Sequence, residues 1–359
     1  MFDLSQYVYC VIPAAALRTL DLEEKIPARE RIGGGAIHAV CHEDMAAIVS
    51  EATPHDVAKM RKDELARMLL AHQKVIEVIM EFSPAVIPFR LGTYALNETE
   101  VAGILSKGSR LIRRLFNEIG NKIEMDVVVT WADFASVLKD AAQDDEIKEF
   151  KETLASNPRG VNVEDQMKVG FMVKRALDRQ RMEISSGIAG KLAAVSCAQC
   201  PHENMDDTMV MNCAFLVEVS RRDQFDRALE ECDAHLANKL NCRCVGPLAP
   251  YSFYTLDLKR IQWQDIDWAR NLMGLGRVAT PDDIKRAFQH SAMTSHPDHD
   301  GQSSAAERDF DQLIRARQLV LEYVQACAQV ESDSRFVFSQ ENVRQNSLLI
   351  KVRNGNDHG

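Results

Sequence analysis

Apolar and polar residues alternate along this chain with two distinct periods, and the switches between them mark out its elements. Tyr7, Val8, Tyr9, Cys10, Val11 and Ile12 form a β-branched and aromatic run that predicts a buried strand. Residues 37–41 and 46–50 flank His42, Glu43, Asp44 and Met45 and predict a hairpin. Gly33, Gly34 and Gly35 lead into it without the spacing of a phosphate loop. From 62 to 82 the period becomes helical: Leu65, Met68, Leu69, Ile76 and Ile79 make one apolar face, on which His72 also falls. Residues 86–93 predict an extended segment. Asn97 and Glu100 have capping-box spacing and open a helix with Val101, Ile104, Leu105, Ile112, Leu115 and Ile119 inward. Ile123, Met125 and Val127 then alternate with Glu124 and Asp126, the period of a half-buried strand.

The next stretch predicts acidic helices over 132–154 and 163–196, broken at Asn157, Pro158, Arg159 and Gly160. A strongly apolar strand follows over 209–219. A helix over 224–240 turns Phe225, Leu229, Cys232 and Leu236 inward, and a strand over 242–256 is interrupted by Gly246, Pro247 and Pro250. Sequential helices on mainly antiparallel strands predict an α+β fold: two ferredoxin-like α/β sandwich domains, over 1–130 and 131–256. Residues 257–267 read as a linker and 329–359 as a polar, flexible tail, in which 347–352 has a strand's composition. No fixed-period repeat appears.

Composition narrows the function. With 359 residues the chain has ample core for two or three domains. A net charge of −10 supplies no concentrated basic face for nucleic acid or an anionic membrane, so neither is an expected partner. The amino-terminal residues lack a basic n-region and the apolar run near them is broken by Pro13, which predicts a cytoplasmic protein. Nine scattered cysteines read as reduced thiols, with Cys10, Cys41, Cys213 and Cys232 in the core. Cys197, Cys200 and His202, with Cys242 and Cys244 further on, are the one cluster from which a zinc or redox protein is argued. The intervening residues 203–208 read as a loop, which disfavours a shared metal. No serine elbow, Walker loop, dinucleotide fingerprint or paired-histidine zinc motif occurs, so an enzyme is not expected and no cofactor or metal is assigned.

Toward the end, Thr280, Pro281, Asp282 and Asp283 start a helix: a threonine cap, a proline at the first helical position, and acids at the positive end. Ile284, Ala287, Phe288, Ser291 and Ala292 share one face while Lys285 and Arg286 point outward. Pro297 takes His296 out of helical geometry. After the polar residues 300–304, Phe310, Leu313, Ile314, Val320, Leu321 and Val324 make a second helical stripe. Ala269, Leu272, Met273 and Leu275 supply a shorter helix upstream. A calcium loop beginning at His296 fails where it needs its first carboxylate and, at Ser303, an apolar residue. The stretch 268–328, with His296, Pro297 and Asp298 between its helices, resembles a J-domain, the co-chaperone module of DnaK-type ATPases. The resemblance implies that His296, Pro297 and Asp298 contact such an ATPase, supported by Lys285 and Arg286, and that hydrolysis is stimulated. Other members carry more basic residues on the helix before the tripeptide, so steering toward an acidic partner would be weaker here.

Three further segments, taken together, resemble the gas vesicle protein family of the F/L type over roughly the first 256 residues. They are the first strand; His72 followed by Val86, Ile87, Pro88, Phe89, Arg90, Leu91, Gly92 and Thr93; and Gly246, Pro247, Leu248, Ala249, Pro250, Tyr251, Ser252 and Phe253. Leu91 replaces a phenylalanine of the family, and Leu248 with Ala249 replaces tryptophan and proline. The resemblance implies an accessory protein of gas vesicle formation in the cytoplasm or at the vesicle surface. Its partners would be the small apolar shell protein and other vesicle accessory proteins. His72, Pro88, Arg90, Gly92, Thr93, Gly246, Pro247, Pro250, Tyr251 and Phe253 carry the family pattern and are the candidate client-binding residues. Read as residues alone, His72 is a hydrogen-bonded core histidine, Arg90 a structural ion pair or carbonyl ligand, and Tyr251 and Phe253 core strand residues. A general J-domain co-chaperone with unrelated clients is the rival reading.

Overall fold

The computed structural model describes residues 4–156, 161–235, 239–294, 304–330 and 335–353. The chain divides into two compact units, residues 1–118 with 255–352 and residues 119–254 with 353–359. This differs from the expected division at 130 and 256, because the chain returns to the first unit after leaving the second.

The first unit opens with strand β1 (Ser5–Pro13), short helix α1 (Leu22–Lys25), and the hairpin β2 (Ile37–His42) and β3 (Met45–Ala52). The turn is tighter than expected: only Glu43 and Asp44 lie between the strands, and Glu43 takes a left-handed φ of 53°. Helix α2 (Lys62–Met80), strands β4 (Ile87–Pro88) and β5 (Tyr94–Ala95), and helix α3 (Glu98–Ile119) follow. The antiparallel sheet runs β2-β3-β1-β4, with β5 also paired to β1. As the central strand, β1 is covered on both faces, and its buried run from Ser5 to Ile12 is the apolar stretch of the sequence. Helix α3 starts where Asn97 accepts the Glu100 N–H at 3.0 Å, and all six residues of its predicted stripe are buried. Cys41, expected in the core, is exposed on β2, an outer strand of the sheet, while Cys10 is buried on β1.

The second unit contains β6 (Lys122–Trp131), helices α4 (Phe134–Ala141), α5 (Asp145–Ala155) and α6 (Val163–Ala193), strands β7 (Ala198–Pro201) and β8 (Met209–Glu218), helix α7 (Arg222–His235) and strand β9 (Leu240–Leu248). Its antiparallel sheet runs β7-β8-β6-β9. The helix expected over 132–154 is two helices, because the Asp144 side chain accepts the Glu146 N–H at 3.1 Å and begins a new one. Strand β7 had no period to announce it. Glu124 departs from the half-buried pattern: it is 1% exposed, held by hydrogen bonds from Ser252. The breaker at 157–160 lies outside the described residues.

The described residues beyond 254 form strands and helices rather than a linker and a tail. Strand β10 (Thr255–Arg260) and helix α8 (Trp263–Leu272) occupy the expected linker. Then come β11 (Val278–Ala279), α9 (Pro281–Thr294), α10 (Ser304–Val330), β12 (Phe336–Val337), α11 (Gln340–Gln345) and β13 (Leu348–Arg353). Leu256 forms a parallel bridge with Phe89, and β10 pairs with β13 (Leu348–Arg353), so β13 is stitched to the first unit. Ile266, Ala269, Met273, Ile284, Leu313, Ala316, Val320 and Tyr323 make one core for α8, α9 and α10. Phe336, Phe338, Val343 and Leu349, from the expected tail, complete it. Each such apolar side chain stabilises by about 1.5–3 kcal/mol relative to exposure, which is why the segment does not remain a free tail. The Tyr323 hydroxyl donates to the Val337 carbonyl at 2.6 Å. Ile314, expected on the inward stripe, is 48% exposed because the buried ridge of α10 runs through Leu313, Ala316 and Val320.

Candidate functional site

In the first unit β1, α2 and the β4–β5 segment converge on an aromatic and imidazole cluster. The Tyr7 hydroxyl is 2.7 Å from Nδ1 of His72, and the Gly92 N–H points at the same oxygen from 3.4 Å, which leaves the phenol proton for the imidazole. Tyr9 stacks on His72 with ring centroids 5.7 Å apart. Its hydroxyl accepts the Ile32 N–H at 2.8 Å and meets the Ser50 hydroxyl at 2.9 Å. His72 is 2% exposed, and burial pushes its pKa down to about 4, so it is neutral at pH 7. A neutral imidazole sealed from solvent and bonded to a phenol fixes the sheet to α2 and offers nothing to a substrate. Pro88 is likewise buried, opposite Cys10 in the sheet.

Arg90 to Thr93 form a tight turn. The Thr93 hydroxyl and N–H both donate to the Arg90 carbonyl, at 2.6 and 3.1 Å. Gly92 has φ +83°, and a Cβ there would lie 2.3 Å from Cγ2 of Val57, so both conformation and space demand glycine. The Arg90 N–H donates to the Leu256 carbonyl at 2.8 Å, and its guanidinium stands 3.6 Å from Asp257. These residues line an open cleft of about 870 Å³ that also includes His55, Tyr94 and Arg260. Arg260 pairs with Glu100 at 3.1 Å and donates to the Tyr94 carbonyl. Each cleft arginine thus has its own carboxylate, which makes the surface polar and locally balanced rather than an anion trap.

The second motif lies in the second unit. At the Gly246 position in β9 a Cβ would come within 2.7 Å of the Met125 sulfur and 2.9 Å of the Glu124 carbonyl oxygen, so the strands approach where only glycine fits. The Gly246-Pro247 bond is cis. Tyr251 and Phe253 are not strand residues: they belong to a half-buried turn closed by N–H groups of Phe253 and Tyr254 donating to the buried Pro250 carbonyl, at 3.1 and 2.8 Å. That turn aims the Ser252 N–H and hydroxyl at the two oxygens of Glu124, at 2.7 and 2.8 Å, and His202 Nε2 lies 3.1 Å from the same hydroxyl. Burial and the neighbouring Asp126 raise the Glu124 pKa. Periodicity missed this constellation, since an acid alternating with apolar residues reads as solvent-facing; the serine within the motif was the available signal. Cys197 is exposed and Cys200 buried, and among the described residues no group of three His, Cys, Asp or Glu side chains is placed to hold a metal ion.

In the helical segment, Thr280 and Asp283 cap α9 reciprocally: the Asp283 N–H donates to the threonine hydroxyl oxygen at 3.2 Å, and the Thr280 N–H to the aspartate at 2.9 Å. Lys285 and Arg286 are exposed, with Arg286 paired to Asp283 at 2.7 Å. Arg317 covers the Phe288 ring at 4.6 Å and Arg315 the Trp268 ring at 5.7 Å. His296, Pro297 and Asp298 fall outside the described residues, in the connection between α9 and α10. No helix among the described residues is long and apolar enough to cross a membrane.

Comparison with known proteins adds to this geometry. The profile of the gas vesicle synthesis protein GvpL/GvpF family matches residues 5–255. Gas vesicle protein F of Dolichospermum flosaquae is 22% identical over 255 residues, 70% of this chain and 98% of its own length. Gas vesicle protein F2 of Halobacterium salinarum is 24% identical over 234 residues, 65% of this chain and 86% of its own. The crystal structure of GvpF from Microcystis aeruginosa superposes with a TM-score of 0.56 at 19% identity, covering 69% of this chain and 98% of that one. That from Anabaena sp. PCC7120 gives 0.56 at 20%, covering 69% and 97%. The fold is therefore the same mixture of helices and antiparallel sheets, and the chain belongs to the GvpL/GvpF family of proteins involved in gas vesicle formation.

Proposed function

We propose that this protein is a non-catalytic accessory factor that holds the apolar gas vesicle shell protein, together with other vesicle proteins, in the cytoplasm and at the growing vesicle surface. In this reading, residues 268–328 summon a DnaK-type ATPase to that client. The family supports the process, and elementary physics supports the need: a subunit destined to face gas on one side is an aggregation hazard in water until its strand edges and apolar face are covered. Both sheets follow the order second, third, first, fourth strand of their unit, which supports a ferredoxin-like reading of each.

The observation that carries ATPase recruitment is that α9 and α10 share a core with α8, so the tripeptide sits on the connection between two packed helices. A J-type module offers its imidazole and carboxylate from that position. The test is steady-state ATP hydrolysis by a DnaK-type ATPase with the purified shell protein present. The intact chain should accelerate hydrolysis, and His296→Gln and Asp298→Asn should abolish the acceleration while still binding shell protein. An ATPase rate indifferent to the intact chain would refute recruitment, and absence of shell-protein binding would refute the client.

A further inference from the structure

Among the described residues, β13 has one side that no other strand covers. The Ile261 N–H donates to the Ser347 carbonyl at 2.7 Å, so Ser347 faces β10, and by the period of two the peptide groups of Leu348, Ile350 and Val352 face the other way. There a side chain takes the place of a strand. The amide of Gln329, on α10, accepts the Ile350 N–H at 3.3 Å and donates to the Ile350 carbonyl at 2.5 Å, reproducing the paired bonds of one peptide unit.

This edge forms one wall of a groove of about 820 Å³ whose other walls are α3 and α10. Helix α3 lies hard against β13: a Cβ on Gly108 would be 2.8 Å from Cδ1 of Ile350. Among the described residues the groove lining carries Lys107, Arg110, Arg114 and Lys351 and no acidic side chain, in a protein of net charge −10. Arg114 has Glu118 at 3.5 Å outside the groove, Lys351 has Glu322 at 3.0 Å, and Lys107 donates to the Gln345 carbonyl. Arg110 is exposed, with no carboxylate at ion-pair distance among the described residues.

We propose that this groove is a docking site for an extended acidic peptide segment of a partner protein, which displaces the Gln329 amide, pairs with the edge of β13 that this amide covers, and sets its carboxylates against Arg110 and its basic neighbours. Strand addition supplies main-chain bonds, and the positive lining selects acidic sequences. The site is independent of the tripeptide and of ATPase recruitment, so failure of either leaves the other standing.

A fluorescein-labelled peptide of alternating glutamate and valine, titrated into the full chain and followed by anisotropy, tests this. Binding should weaken with salt, and weaken by about tenfold in Arg110→Glu. Gln329→Ala, which uncovers the edge, should bind at least as tightly as the unaltered chain. N-methylation of alternate peptide nitrogens keeps the charge but removes the strand donors, and should abolish binding. Hydrogen exchange at Leu348, Ile350 and Val352 should slow on saturation. Equal affinity for a lysine and valine peptide, undiminished binding of the N-methylated peptide, or no binding at millimolar peptide would each overturn the proposal. So would a single-stranded oligonucleotide that competes for Arg110 without slowing exchange along β13.

Discussion

The Tyr7 hydroxyl and Nδ1 of His72, 65 residues apart in sequence and 2.7 Å apart in space, tie the central strand of the first sheet to the helix that covers it. Both groups are buried, so neither can turn to water when the other is removed. Tyr7→Phe should cost roughly 1–3 kcal/mol, read as a lower denaturant midpoint with an unchanged slope. A midpoint equal to that of the unaltered protein would mean that the imidazole finds another partner.

Acid sensitivity follows from the same histidine. Its folded pKa of about 4 lies below the 6.5 of an unfolded chain, so between those values the unfolded state binds the extra proton. The contribution of His72 is complete above pH 6.5 and is lost as pH falls toward 4, by up to about 3 kcal/mol. Denaturant midpoints at pH 7.5 and 4.5 should differ markedly in the natural chain and less in His72→Gln, whose side chain does not titrate.

Gly92→Ala should destabilise the first unit by about 2–3 kcal/mol, from a left-handed backbone and a collision with Val57. Adding Val57→Ala removes the collision but not the backbone strain. Thermal melts of the double variant should therefore recover only part of the loss.

Glu322 on α10 is almost fully buried, between Lys259 of β10 at 2.6 Å and Lys351 of β13 at 3.0 Å. Burial pushes its pKa up, but the hydrogen bonds from both lysines and Gln318 outweigh it and leave the carboxyl below its ordinary value. That stability is present above the usual glutamate range and is lost as pH falls through the lowered pKa. Glu322→Gln should cost roughly 2 kcal/mol at pH 7, discounted because both ammonium groups reach solvent. Glu322→Met with Lys259→Met and Lys351→Met should melt higher than the single variant, because no uncompensated charge remains.

Lys285→Glu with Arg286→Glu alters an exposed face of α9. Stability should change by no more than about 0.5 kcal/mol, while stimulation of a DnaK-type ATPase at low salt falls by about fivefold. Stimulation unchanged from the natural chain would remove these two residues from the partner contact.

Much of the fold was legible because its signals are local. The stripe of α3, the apolar run of β1 and the reciprocal cap at Thr280 and Asp283 each lie within a few turns of chain. The same local reading placed Glu124 on a solvent face and Cys41 in a core, since period fixes which residues share a face but not what covers that face. Of the candidate site residues, the turn from Arg90 to Thr93 lines a cleft, whereas His72 and Pro88 are sealed inside, and Tyr251 and Phe253 flank the serine that reaches Glu124.

Sequence alone determined the strongly patterned elements, among them β1, the β2–β3 hairpin, α2, α3 and β8, because each rests on a period within a few turns of chain, and it carried the resemblance to a gas vesicle family through three separate segments. Tertiary structure alone decided that residues 255–352 rejoin the first unit, that the supposed linker becomes β10 and the start of α8, that the strand read at 347–352 pairs with β10, and that the Gln329 side chain takes the other edge of β13. Those outcomes rest on pairings such as Leu256 with Phe89 and Ile350 with Gln329. Pairing across such separations leaves no periodic trace in the chain, because it is settled by which apolar surfaces and peptide edges remain uncovered once the local elements have packed.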